Sequence, residues 1–141
     1  MKGNKRFKQA FHVLSTAVVL SGVLLPFAPK EANAAVAMQP KIVNAGGVHS
    51  LAIGQDGKVY AWGSNYYGQL GDGTTTSRTT PVQVQGLSNV VAVAAGRAHS
   101  LAVTADGKIY SWGWNYNGLL GDGTTTDRTT PVLVSSLTAK V

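Results

Sequence analysis

The chain contains no cysteine. That excludes a disulfide framework, a thiolate zinc site, an iron–sulfur cluster and a cysteine nucleophile. Acidic residues are also scarce, 6 Asp+Glu against 12 Lys+Arg, for a formal charge of +6. A charge of that size first points to a nucleic-acid or membrane partner. Its distribution removes that reading. Residues 1–34 hold Lys2, Lys5, Arg6, Lys8 and Lys30 against Glu31 alone, and so carry +4. The other 107 residues hold seven basic and five acidic side chains and carry only +2. The basicity belongs to the N-terminal segment, and a nucleic-acid partner gets no support. Charged residues make up only 13% of the chain, which has 17 glycines. That balance implies many turns and few surface helices, and no segment after residue 34 keeps a helical period for three turns.

What is present at the N-terminus has the order of an export signal. Four basic residues precede a mostly apolar stretch, residues 13–27, interrupted by Gly22 and Pro26. Ala32-Asn33-Ala34 then supplies a small-x-small cleavage pattern, predicting a signal peptide over residues 1–34 and a mature chain that starts at Ala35. Ala35-Val36-Ala37 is a second cleavage site of the same type. An uncleaved anchor is the alternative, but the run is shorter than the ~20 residues a span needs. No Arg-Arg pair indicates a twin-arginine route. The expected location is therefore secreted or cell-surface, with no membrane span after cleavage.

The remainder is one unit written twice. His49-Ser50-Leu51-Ala52 returns as His99-Ser100-Leu101-Ala102, and Asp56-Gly57-Lys58 as Asp106-Gly107-Lys108. Tyr60 and Trp62-Gly63 return as Tyr110 and Trp112-Gly113, and the run 70–76 returns unchanged as 120–126. The offset is always 50, and 30 of the 50 aligned positions are identical. The expected division is a linker over 35–40, one repeat over 41–90 and a second, cut short at its end, over 91–141.

Within the unit the pattern is all-β. Residues 99–103 and 108–112 flank Asp106-Gly107, a hairpin signal that predicts a type I′ turn. Residues 90–95 form an apolar run of strand length, and 131–134 a short strand with Pro131 at its first position. Four short antiparallel strands per repeat is the arithmetic of a β-propeller blade.

The strings Gly-Arg-Ala-His-Ser-Leu-Ala (96–102), Asp-Gly-Lys-Ile-Tyr-Ser-Trp-Gly (106–113) and Gly-Gln-Leu-Gly-Asp-Gly (68–73) closely resemble the repeat of the regulator-of-chromosome-condensation family. The resemblance covers about 100 residues. It implies seven-bladed propeller rings, of which this chain supplies two blades. In the family's framing 58–107 is the one complete repeat. Two blades leave open faces, and repeat arrays generally need three or more units and capped ends. Three readings follow: a fragment of a longer reading frame, a short protomer that self-associates through its open blade faces, or a product with no stable fold.

No constellation supports catalysis. His49 and His99 stand at the same place in the unit with no third ligand at metal spacing; the expectation is an intrablade hydrogen bond for each. Asp56 and Asp106 are turn formers. Asp72 and Asp122 lie in Gly-Asp-Gly without the series of a calcium loop. Arg78 and Arg128 are expected to tie the Thr-rich loop to backbone carbonyls or to Asp72 and Asp122. Trp62 and Trp112 recur in Tyr-x-Trp-Gly and read as blade framework. No catalytic residue, metal site or cofactor is expected.

The informative positions are those that differ. Ser64-Asn65-Tyr66-Tyr67-Gly68 becomes Trp114-Asn115-Tyr116-Asn117-Gly118. Aromatics that change on an unchanged frame read as a contact surface, so Tyr67 and Trp114, with the recurring Tyr66 and Tyr116 beside them, are the candidate binding residues. The competing reading is that they pack between blades. The function expected is an exported, non-catalytic binding module that presents one propeller rim to a protein or a surface glycan. The alternatives are guanine-nucleotide exchange, implied by the family resemblance, and the propeller part of a larger secreted enzyme.

Overall fold

The computed structural model describes residues 39–138; the expected signal peptide and its cleavage site lie outside the described residues. Eight strands follow in order: β1 (Pro40–Ala45), β2 (His49–Gly54), β3 (Val59–Gly63), β4 (Arg78–Gln83), β5 (Val90–Ala95), β6 (His99–Thr104), β7 (Lys108–Gly113) and β8 (Arg128–Thr138). They form two four-stranded sheets, β1-β2-β3-β4 and β5-β6-β7-β8. Every pairing is antiparallel. Each sheet is thus a meander of sequence neighbours, the construction of a propeller blade. A single 3₁₀ turn, Tyr116–Gly118, is the only helical element among the described residues.

The Asp-Gly signal places both hairpins, but the turn is not type I′. Gly57 (φ 73°) and Gly107 (φ 83°) are left-handed, whereas Asp56 and Asp106 are not. Gly57 N–H bonds to the Gly54 carbonyl at 3.0 Å, and Gly54 N–H to the Lys58 carbonyl at 2.9 Å. This is a three-residue loop closed by a left-handed glycine. Asp56 works through its side chain, whose Oδ1 accepts the Lys58 N–H at 3.1 Å.

The outer strands also start earlier than expected. β8 begins at Arg128, and Pro131 is its fourth residue; β4 holds Pro81 in the same way. Both are edge strands, and both slip register there: Ala61↔Val82 is followed by Gly63↔Arg78, and Ser111↔Val132 by Gly113↔Arg128. A bulge on an edge accommodates a residue with no N–H.

The core lies between the blades. Leu51, Ile53, Val59 and Ala61 of the first blade are fully buried, in one cluster with Ala102 and Trp112 of the second, against which Val93, Ala95 and Tyr110 pack. Their repeat counterparts fare differently. Leu101, Val103 and Ile109 are only half-buried, and Val43 is 56% exposed. One side of each blade is covered by the other, and burial at equal sequence positions follows from that alone.

Candidate interaction rim at the blade seam

The β1–β2 turns and the long β3–β4 and β7–β8 loops share one end of the blades. What fixes that end is a polar hub across the seam. The Gln69 carbonyl accepts the Trp112 indole N–H at 2.8 Å and the Ser100 hydroxyl at 2.8 Å. His49 Nε2 stands 2.8 Å from the same Ser100 Oγ. Since that hydroxyl's proton goes to Gln69, His49 donates from Nε2, and its buried Nδ1 is left without a partner. Burial, and secondarily the charge of His99, push His49 down to a pKa of about 4. The expected intrablade bond is therefore wrong for His49, which bonds across blades. Neighbouring residues on a strand point apart, so His49 meets the serine of the next repeat instead of its own.

Glycine makes the close approach at the seam. Gly47 N–H bonds to the Gly96 carbonyl at 3.1 Å. A Cβ on Gly46 would lie 2.2 Å from that carbonyl oxygen.

Above the hub, each long loop is wound around one asparagine. Asn65 is fully buried. Its Oδ1 accepts the Leu70 N–H at 2.9 Å, and its Nδ2 donates to the Thr74 and Thr76 carbonyls at 2.9 and 3.0 Å. Asn115 repeats the scheme with the Leu120 N–H at 3.0 Å and the Thr124 and Thr126 carbonyls at 3.1 and 2.8 Å. Asp72 and Asp122 close each loop against arginine: Arg78 Nη2 lies 3.1 Å from Asp72 Oδ2, and Arg128 Nε 2.8 Å from Asp122 Oδ2. For Asp122 burial works upward, but bonds from Thr124, Arg128 and Asn115 outweigh it and hold the carboxyl well below the usual range. The two asparagines were not singled out as site residues from sequence. Their signal was there: each stays fixed although the residue before it changes from Ser64 to Trp114.

On this frame the variable aromatics come together. Tyr67 of the first blade and Trp114 of the second lie with ring centroids 5.6 Å apart and tilted by 39°. Trp114 stacks on Tyr116 at 5.4 Å and 9°. Tyr67 is 42% exposed, Tyr116 61% and Tyr66 78%. None of the three tyrosines packs as core between blades; Tyr66 stands outside the stacked row. Arg97 and Ala98 complete a cleft with Tyr67 and Trp114 of about 220 Å³. At position 117, where the first blade has Tyr67, Asn117 adopts φ 57° in the 3₁₀ turn, a conformation asparagine tolerates and tyrosine resists.

Of the framework residues, Trp112 is fully buried, whereas Trp62 is half-buried. Asp106 sits at its turn 3.1 Å from Lys108 Nζ. Among the described residues no group of three or more His, Asp or Glu side chains is placed to hold a metal ion.

Comparison with known proteins gives the family. Two models described as the regulator of chromosome condensation (RCC1) repeat match, one over residues 56–103 and 106–141, the other over 41–69 and 90–119. The human E3 ubiquitin-protein ligase HERC2 is 53% identical over 45 residues, 32% of this chain and 1% of that protein. The ultraviolet-B receptor UVR8 of Arabidopsis thaliana is 40% identical over 56 residues, 40% of this chain and 13% of the receptor. This chain thus spans a small part of those relatives. Among solved structures, Prp20p from Saccharomyces cerevisiae, studied for its binding to Gsp1p and histones, superposes with a TM-score of 0.62 at 27% identity. That superposition covers 69% of this chain and 26% of Prp20p. Human WBSCR16 gives a TM-score of 0.57 at 33% identity over 64% and 24% of the two chains. Repeat matches over both blades, the blade topology and these neighbours agree: the chain belongs to the regulator of chromosome condensation repeat family.

Proposed function

We propose that this chain is an exported, non-catalytic interaction module whose contact surface is the aromatic row Tyr67, Trp114 and Tyr116 at the blade seam, with Tyr66 beside it. The observation that carries this reading is the row itself. Rings from two blades are held side by side, the half-buried Trp114 between the exposed Tyr67 and Tyr116, on loops locked by Asn65 and Asn115. Rigid exposed aromatics lose little entropy on binding and make good anchors. Arg97 at the edge of the cleft adds a fork donor for a carboxylate or a glycan oxygen. Prp20p, a structural neighbour, binds the proteins Gsp1p and histones, which supports a protein as the partner class here. Guanine-nucleotide exchange is not favoured, because the segment after residue 34 is nearly neutral and the N-terminus reads as an export signal.

The test has two arms. N-terminal sequencing of the chain recovered from culture medium should start at Ala35; an intracellular product starting at Met1 would remove export from the reading. The secreted chain is then screened against surface glycans and exported proteins of its own host. Binding that survives the Tyr67→Ala, Trp114→Ala double variant would remove the rim.

A further inference from the structure

The rim holds one charge that the described residues leave unmatched. Beyond residue 34 the arginines are Arg78, Arg97 and Arg128. Arg78 and Arg128 are engaged by Asp72 and Asp122 within their own loops. Arg97 is exposed and enters none of the ion pairs among the described residues. It belongs to the second repeat alone, since the first has Gly47 at its place. The two meet across the seam: a Cβ on Gly47 would lie 3.1 Å from Arg97 Cα and 3.3 Å from its Cγ. The glycine thus leaves the room that the arginine stem fills. Trp114 N–H bonds to the Ala98 carbonyl at 2.9 Å, which fixes this segment beside the aromatic row. The same bond joins Ser64 N–H to the Val48 carbonyl at 3.0 Å in the first blade. The frame is common to both blades, and a guanidinium and an indole are added to it once. We propose that Arg97 sets the specificity of the rim. Its partner is an exposed protein segment that places an Asp or Glu carboxylate on the guanidinium and an apolar side chain against Tyr67 and Trp114. The proposal rests on the aromatic row being the contact surface.

Charge and size define the occupant. The acids of the two long loops face inward or are already paired. Asp72 and Asp122 hold Arg78 and Arg128, and Asp127 Oδ1 accepts the Asn115 N–H at 2.7 Å. The charge offered to a ligand at the cleft is therefore positive. The cleft of about 220 Å³ is smaller than the pockets that enclose whole small molecules, which start near about 300 Å³. It takes one side chain. Buried Ala98 and the two rings give that side chain apolar walls. A guanidinium beside such walls is poorly hydrated and matches a carboxylate with two parallel N–H bonds. A neutral partner would leave that charge without a counter-ion. The polar side-chain groups of the lining are Arg97, the Tyr67 hydroxyl and the Trp114 indole N–H. Those are too few for the hydroxyls of a sugar ring, each of which needs a partner once desolvated. Tyr, Trp and Arg together are instead the residue types that dominate binding between proteins.

The test selects a phage-displayed library of short random peptides on the full chain and measures dissociation constants for synthetic copies of the enriched ones. Those peptides should carry Asp or Glu beside an apolar or aromatic residue, and their affinity should fall as salt rises. Arg97→Gly installs the residue that the first repeat has at this place, so the fold should persist by circular dichroism. It should weaken binding at least about tenfold. Arg97→Lys keeps the charge without the fork and should weaken it less. Arg97→Glu should reverse the preference, favouring the same peptide with Lys in place of its acid. Peptides that lose affinity with Trp114→Ala but not with Arg97→Gly would overturn the proposal and leave the row as the contact surface. Peptides indifferent to both variants would remove the row and the proposal together, as would a selection that enriches none. Polygalacturonate oligosaccharides are the second probe. Tighter binding of these than of any selected peptide, lost in Arg97→Gly, would assign the carboxylate to a glycan and overturn the protein partner.

Discussion

Trp112 of the second blade donates its indole N–H to the main-chain carbonyl of Gln69 in the first, across 2.8 Å. Its repeat counterpart Trp62 stands in the same Tyr-x-Trp-Gly frame but is only half-buried. Trp112→Ala is therefore expected to cost roughly 3–5 kcal/mol, the range for emptying a buried aromatic site. Trp112→Phe, which chiefly removes the hydrogen bond, should cost about 1 kcal/mol. Trp62→Ala should cost clearly less than Trp112→Ala. Denaturant titration of the three variants checks the order, and equal losses at positions 62 and 112 would contradict it.

Acid should loosen the seam. His49 is neutral in the folded chain down to a pKa of about 4, whereas an unfolded histidine titrates near 6.5. Between those values the unfolded chain binds more protons, so stability is complete above about 6.5 and falls as the pH drops towards 4. The full effect is roughly 3 kcal/mol. Asp122 and Asp72, both held low in the fold, add a separate loss that starts only near their unfolded values, about 4. Thermal melts from pH 7 to pH 3 should show the upper step, and His49→Gln should flatten it while leaving the lower one.

Asn115→Ala should disorder the second long loop. It leaves the Leu120 N–H without its acceptor and the Thr124 and Thr126 carbonyls without their side-chain donor. Stripping the buried Leu120 N–H in this way costs about 1–3 kcal/mol, and the carbonyls of the exposed Thr124 and Thr126 turn to water. The near-ultraviolet circular dichroism of the stacked Trp114 and Tyr116 should weaken while the far-ultraviolet strand signal persists. An unchanged aromatic signal would mean that the loop holds without its asparagine.

The repeat made most of the fold legible. Alternation and the Asp-Gly turns place β5 at its full span and β6 and β7 to within a residue or so. Arg128-Thr129-Thr130 was missed as strand because an exposed edge over a bulge carries no apolar alternation. The turn type was missed because Asp56 and Asp106 act through their carboxylates, which dipeptide preference does not reveal. At the rim, sequence pointed to Tyr67 and Trp114 because they differ between repeats. It could not show that the two meet, since they come from different blades and only the seam brings them to 5.6 Å. The same seam explains His49. A periodic sequence states what each unit contains, but not which contacts close within a unit and which reach its neighbour.

The most direct test of the interaction rim is the dissociation constant of the chain for the tightest ligand from the surface screen, measured for the parent and for Trp114→Ala. Trp114 is central in the row, touching both Tyr67 and Tyr116. The loss expected for a hot-spot tryptophan, about 2 kcal/mol or more, is about 30-fold. The melting temperature should stay near that of the parent, because the blade core rests on Trp112 and not on Trp114. A folded Trp114→Ala chain that binds as tightly as the parent would contradict the account.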